Sequence, residues 1–212
     1  MRRTKEQAAE TGRQILQAAK TLFLDKGYDK VSLEEIAVAA GVTRGAIHWH
    51  FKNKQGLLIA LRDNTQEPFR KLTQELSDHP DSASLTKLGD LISGMFEQLQ
   101  TDPRRQGLLR GMMRLDITMA DNSEEGGSTF RKEMYELLLQ IFQAVERESG
   151  LPQPWSPEAA ALLLNATLSG LVGEWALGKG HGHLVPEGQA FIKMILSLWT
   201  PKGAHPAEIT AE

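Results

Sequence analysis

A chain of 212 residues with 41% apolar and 24% charged side chains has the composition of an ordinary globular protein, large enough for one big domain or for a small one plus a larger one. The absence of cysteine excludes disulfides, thiol redox sensing and thiolate metal centres. The net charge of −3 is unevenly spread, because residues 1–62 carry eleven Lys/Arg against six Asp/Glu and the remainder thirteen against twenty-one, a basic head on an acidic body that points to a polyanion at one end only.

Apolar residues recur at the helical period along nearly the whole chain, without sustained two-residue alternation, so the expected fold is all-α with about nine helices. The first helix is predicted from about Lys5 to Lys26, with Ile15, Ala19, Leu22 and Phe23 as its inward stripe and Gly27 as its stop. A second opens at Ser32, where Ser32 and Glu35 have the spacing of a capping box, and Leu33, Ile36, Ala37 and Ala40 face inward. Gly41-Val42 break it. Thr43 caps a short third helix held to the core by Ile47 and Phe51, and Asn53 caps a fourth expected over residues 54–77.

A helix, a tight turn and a second short helix satisfy the helix-turn-helix pattern. The third helix presents Arg44, Gly45, His48, Trp49 and Lys52 away from Ile47 and Phe51. That face is poor in aliphatic residues and rich in hydrogen-bond donors. Arg44 suits the guanine edge in a major groove, and Gly45 lets the backbone approach closely. His48, Trp49, His50 and Lys54 are expected to donate to phosphates, with Ser32, Thr43 and Lys52 completing the candidate DNA-binding set. His48 and His50 are two apart on a helix and point in nearly opposite directions, so they do not share a metal ion. His181 and His183 lie in a Gly-rich loop with no third ligand beside them. No metal or cofactor is expected.

The segment Ile15 to Leu58, centred on LFLDKGYDKVSLEEIAVAAGVTRGAIHWHFKNKQGLL, closely resembles the DNA-binding domain of the TetR family. Within that family it is most similar to AcrR-type repressors of multidrug efflux pumps, in which strings like TRGAIYWHFKNK recur. The resemblance covers roughly residues 9–69. His48 stands where the family usually has Tyr. The resemblance implies a helix-turn-helix domain over 9–69 and a larger helical ligand-binding and dimerisation domain over 70–200, while the terminal segment from 201 to 212 is expected to lack order. It also implies a cytoplasmic homodimer, a pseudo-palindromic double-stranded operator and a small-molecule inducer.

Further helices are predicted over 83–101, 104–120, 128–149, 157–178 and 187–199, separated by polar or Pro/Gly joints. Helix-turn-helix proteins bind paired half-sites, so some surface must join two copies. The last two helices are the candidates, with Leu164, Leu168, Leu171, Trp175, Phe191, Ile195 and Trp199 as interface residues. The middle helices supply Met95, Phe96, Leu99, Met112, Met113, Met134, Leu138 and Phe142, whose flexible and aromatic side chains suit either an apolar pocket or an ordinary core. Asp116 is placed with them either as a partner for a cationic ligand or as an interface or surface carboxylate.

Other functions have less behind them. The chain carries no G-x-S-x-G, phosphate-binding loop, H-E-x-x-H or cysteine nucleophile, so an enzyme is not expected. An acidic body opposes non-specific DNA packaging. No apolar run approaches the roughly 20 residues of a membrane span, and residues 1–12 have no apolar export segment. A TetR-type regulator of a metabolic or lipid-related operon is the alternative to efflux control.

Overall fold

The computed structural model describes residues 5–79, 85–121, 129–178 and 183–200. The expected tail from 201 and His181 lie outside the described residues. Regular structure among the described residues is helical: α1 (Lys5–Lys26), α2 (Leu33–Ala39), α3 (Arg44–Phe51), α4 (Lys54–Asp63), α5 (Glu67–Asp78), α6 (Leu85–Thr101), α7 (Arg104–Asp121), α8 (Thr129–Glu148), α9 (Pro157–Leu177) and α10 (Gln189–Leu198). The helix expected over 54–77 is two helices. A 3-10 turn at Asn64–Gln66 separates α4 from α5, and counting that pair as one rod recovers the expected nine. The helix predicted from 187 begins at Gln189, after a tight turn at Leu184–Gly188 in which Val185 is extended (φ −128°, ψ 127°) and the Gly188 N–H reaches the His183 carbonyl at 3.1 Å.

The chain divides into two compact units. One takes in the described residues of 1–67, 101–130 and 173–180; the other takes in those of 68–100, 131–172 and 181–212. The first is larger than the 9–69 span expected for a head. Its core joins Ile15, Ala19, Phe23, Ile36, Ile47, Leu57, Leu58 and Leu61 to Leu108, Met112 and Leu115 of α7. About sixty residues bury too little of their own surface for a secure core, and α7 supplies the missing wall.

A buried arginine ties α4 to α7. Arg62 is 6% exposed; its guanidinium reaches Asp63 at 3.0 Å and Asp116 at 3.1 Å, and it lies 5.0 Å from the centre of the Phe130 ring. A buried charge requires such partners, because desolvation costs several kcal/mol per ion, roughly, when it is left alone.

The second unit packs around Phe69, Leu88, Ile92, Phe96, Leu138, Phe142, Leu164, Ile192 and Leu196. Trp199, just past α10, meets Phe142 and Trp155 edge-on with ring centres 5.2 and 5.7 Å apart. Gln189 at the start of α10 donates to the Ser93 carbonyl and the Glu97 carboxylate of α6. By length and composition α9 could cross a membrane, with a mean hydropathy of 1.3 over its most apolar window, which a search for unbroken apolar runs does not reveal. Its buried Asn165 donates to the Arg131 carbonyl, and 44% of that window is buried in the fold, as in the core helix of a globular protein.

Candidate nucleic-acid interface

Capping holds the elements of the helix-turn-helix in place. Both halves of the capping box form at Ser32: its hydroxyl accepts from the Glu35 N–H at 3.2 Å, and the Glu35 carboxylate accepts from the Ser32 N–H at 2.8 Å. Lys26 adds an ion pair to Glu35 at 2.7 Å. That ammonium, with the Ser32 N–H and hydroxyl, holds the Glu35 carboxyl down at about 2.

The turn follows as a Schellman motif. The Val42 N–H reaches the Ala37 carbonyl and the Gly41 N–H reaches the Val38 carbonyl, with Gly41 at φ 64°. Glycine is suited to this position because positive φ crowds a Cβ. Thr43 then caps α3 by accepting from the Ala46 N–H at 3.3 Å.

Ile47 is fully buried, which fixes the rotation of α3. Arg44, Gly45, His48, Trp49 and Lys52 therefore form one exposed stripe, as predicted, with Trp49 72% exposed. Arg44 makes no ion pair among the described residues, so its five N–H donors face solvent. His50 is half-buried and turned toward α1. Its ring lies 4.5 Å from the Trp49 ring, and its Nδ1 would sit 3.3 Å from a Cβ at Gly12.

The exit from α3 is a γ-turn. Lys52 has φ 63° and ψ −55°, and the Asn53 N–H bonds across it to the Phe51 carbonyl at 2.7 Å. Such a turn is rare, and for a residue other than glycine it costs of order 1–3 kcal/mol. Its surroundings enforce it. The Asn53 side chain caps the Gly56 N–H at 2.8 Å, and Gly56 lies so close to Phe51 that an added Cβ would be 1.9 Å from the Phe51 carbonyl oxygen.

Lys54 does not present its ammonium as expected of a phosphate donor. Its Nζ donates to the carbonyls of Tyr28 and Val31 at 3.0 Å and of Asp29 at 3.4 Å, and it lies 4.6 Å from the centre of the Tyr28 ring. It closes the α1–α2 connection onto the start of α4. The Ser32 hydroxyl is likewise engaged by the capping box.

The nine expected ligand-pocket residues fall in both units. Met95, Phe96, Leu99, Met134, Leu138 and Phe142 belong to the second unit, with Phe96, Leu138 and Phe142 fully buried. Met112, Met113 and Asp116 belong to the first. There Met112 fills the core shared with α1–α4, and Asp116 pairs with Arg62 rather than awaiting a cation.

Of the seven expected pairing residues, Leu164, Leu168, Trp175 and Trp199 are buried within their own subunit, Leu171 and Ile195 are half-buried, and Phe191 is exposed. The outward apolar residues of the second unit are Leu162 and Leu163 on α9 with Phe191, Met194 and Leu198 on α10. Only Phe191 of these five was among the expected pairing residues, because both helices are apolar on most sides and periodicity then marks no single face.

A sequence profile described as bacterial regulatory proteins, tetR family, matches residues 15–61. The HTH-type transcriptional repressor BepR of Brucella suis biovar 1 (strain 1330) is 31% identical over 204 residues, covering 92% of this chain and 95% of BepR. Two solved repressor structures are also similar. NalD, the secondary repressor of the MexAB-OprM multidrug efflux pump in Pseudomonas aeruginosa, has a TM-score of 0.61 at 30% identity and covers 93% of this chain and 100% of its own. SmeT, the repressor of the Stenotrophomonas maltophilia multidrug efflux pump SmeDEF, has a TM-score of 0.66 at 25% identity and covers 95% and 96%.

Proposed function

Because this chain belongs to the tetR family of bacterial regulatory proteins, we propose that it is a homodimeric repressor of a multidrug efflux operon, released from its operator by small apolar or amphipathic compounds. The observation that carries the DNA-binding part is the exposed stripe from Arg44 to Lys52 on a helix whose rotation is fixed by buried Ile47. Efflux control is supported by the similarity to NalD and SmeT, both repressors of multidrug efflux pumps. The outward Leu162, Leu163, Phe191, Met194 and Leu198 support pairing through α9 and α10.

Two recognition helices in such a dimer enter successive major grooves about 34 Å apart. Arg44 reads a base edge, while Thr43, Trp49 and Lys52 fix the register on phosphates. An inducer releases the operator only by binding one spacing of the two heads better than the other. A tilt of α4 would change that spacing.

The test is an electrophoretic mobility shift with duplex DNA from upstream of this gene and of adjacent efflux genes, against a scrambled duplex. Sequence-specific binding is expected, with Arg44→Ala losing about 1–3 kcal/mol of discrimination at one base position per half-site. Equal affinity for all duplexes would overturn the repressor reading.

A further inference from the structure

His48 lies on the outward stripe of α3, and its Nδ1 is 2.7 Å from the carbonyl oxygen of Lys52. A carbonyl oxygen can only accept, so Nδ1 carries a proton and donates. In the neutral ring this leaves Nε2 as a bare lone pair. The carbonyl it holds belongs to the γ-turn residue, whose φ of 63° is set by the packing of Phe51, Asn53 and Gly56. The bond therefore fixes both the tautomer and the direction of the ring, with Nε2 directed away from the helix end.

We propose that His48 is a proton-dependent DNA contact. This rests on the repressor reading above. Neutral, its Nε2 meets a phosphate oxygen as acceptor against acceptor. On taking up a proton from solvent, Nε2–H becomes a charged donor to that oxygen while Nδ1–H keeps its bond to Lys52. Operator binding then takes up one proton per recognition helix, and affinity rises as pH falls.

The charges around His48 leave the phosphate as its anion. On α3, Arg44 and Lys52 lie one turn to either side, and His50 is turned toward α1. On α4, Lys54 is held by backbone carbonyls. Among the carboxylates of α1 and α2, Glu10 is paired with Arg13, Asp25 with Arg104 and Glu35 with Lys26, while Glu6 and Glu34 are exposed. None forms an ion pair with His48 among the described residues.

The full-length protein would be titrated by fluorescence anisotropy with a labelled duplex selected from a random-sequence library near neutral pH, and with a scrambled duplex. The titrations would run from about pH 8 to about pH 6 at fixed ionic strength, the range in which imidazoles change charge. Wild type is expected to bind the selected duplex about fivefold or more tightly at the acid end. The slope of log K against log salt should steepen there by roughly 0.9 per recognition helix. His48→Tyr, whose phenol donates without titrating in this range, and His48→Gln should both lose most of the pH dependence, with circular dichroism confirming the fold. His79→Gln, which alters an imidazole in the second unit, should keep the wild-type profile.

Equal pH and salt profiles for wild type and the two His48 variants would overturn the inference while leaving the repressor reading intact. Equal affinity for the selected and scrambled duplexes at every pH would overturn both.

Discussion

The unit built on α1–α4 and α7 and the unit built on α5, α6, α8, α9 and α10 treat their polar and apolar groups differently. Around the recognition helix, turn carbonyls and helix-start N–H groups are met by Gly41, Thr43, Asn53 and Lys54, and the buried cation Arg62 has two carboxylates. Exposed large apolar residues of that unit, such as Val38, Trp49 and Ile117, are scattered over separate helices. The Arg105 Nε of the first unit and the Ser93 hydroxyl and Trp199 indole N–H of the second have no partner among the described residues, so the sharper difference is at the surface, where five large apolar side chains project from α9 and α10. The first unit is built to hold one geometry toward a charged, hydrogen-bonding target. The second carries an uncovered apolar surface of the kind through which the proposed dimer would pair.

The sharpest way to break this comparison is to disturb the rigid unit where it has no slack. Gly56→Ala places a Cβ 1.9 Å from a backbone carbonyl oxygen. It should cost about 3 kcal/mol or more and abolish DNA binding, because neither α4 nor the γ-turn can shift alone. Gly94→Ala in the second unit meets nothing within 4 Å and should be neutral or stabilising by up to about 1 kcal/mol. Thermal unfolding of both variants checks the pair. Equal effects would mean that the α3–α4 turn is not held as tightly as its geometry requires.

The apolar surface gives the next largest effect. Leu162→Glu combined with Phe191→Glu should weaken the dimer about a hundredfold, or about 2.7 kcal/mol, read by sedimentation equilibrium, with little change in the helicity of the subunit. Leu164→Ala should do the reverse, costing about 2–5 kcal/mol of subunit stability through a buried cavity. A dimer unaffected by the double substitution would place the pairing surface elsewhere.

Lys54→Met separates anchoring from phosphate binding. Losing a cation shared by three carbonyls should cost about 2 kcal/mol of stability, while the salt dependence of operator binding stays unchanged. A phosphate contact would instead lower the salt slope by about one.

How far the sequence was legible follows the same division. The bounds of α1 to α3, the capping box and the outward stripe of α3 could be read because each depends on neighbours within four residues, whereas the break between α4 and α5 was missed. The carbonyl partners of Lys54 could not be read, because Tyr28 and Val31 lie more than twenty positions away. The pairing of Asp116 with Arg62 was hidden for the same reason, since the two are fifty-four positions apart. The share of α7 in the first core was hidden because an amphipathic helix declares that it has a buried face, not what covers it. On α9 even the face was unreadable, since apolar residues surround the helix.

The smallest effect tests the local devices that made the first unit legible. Ser32→Ala removes one hydroxyl from the capping box and should cost about 1 kcal/mol at neutral pH. The pH dependence comes from Glu35, whose carboxyl is held at about 2 by Lys26 first and then by Ser32. Its folded value lies below the ordinary carboxylate value of about 4.3, so the unfolded chain binds the proton more readily. The stabilisation is therefore fully present above that ordinary value and is lost as pH falls toward 2. Urea midpoints measured at steps down this window should fall for wild type, fall less for Ser32→Ala, and lose this part of the slope altogether in Glu35→Gln. High salt should weaken the Lys26 share, since that pair is exposed to solvent. If Glu35→Gln fell in parallel with wild type, the acid sensitivity would belong to other carboxylates, and the capping box would be a geometric device rather than an electrostatic one.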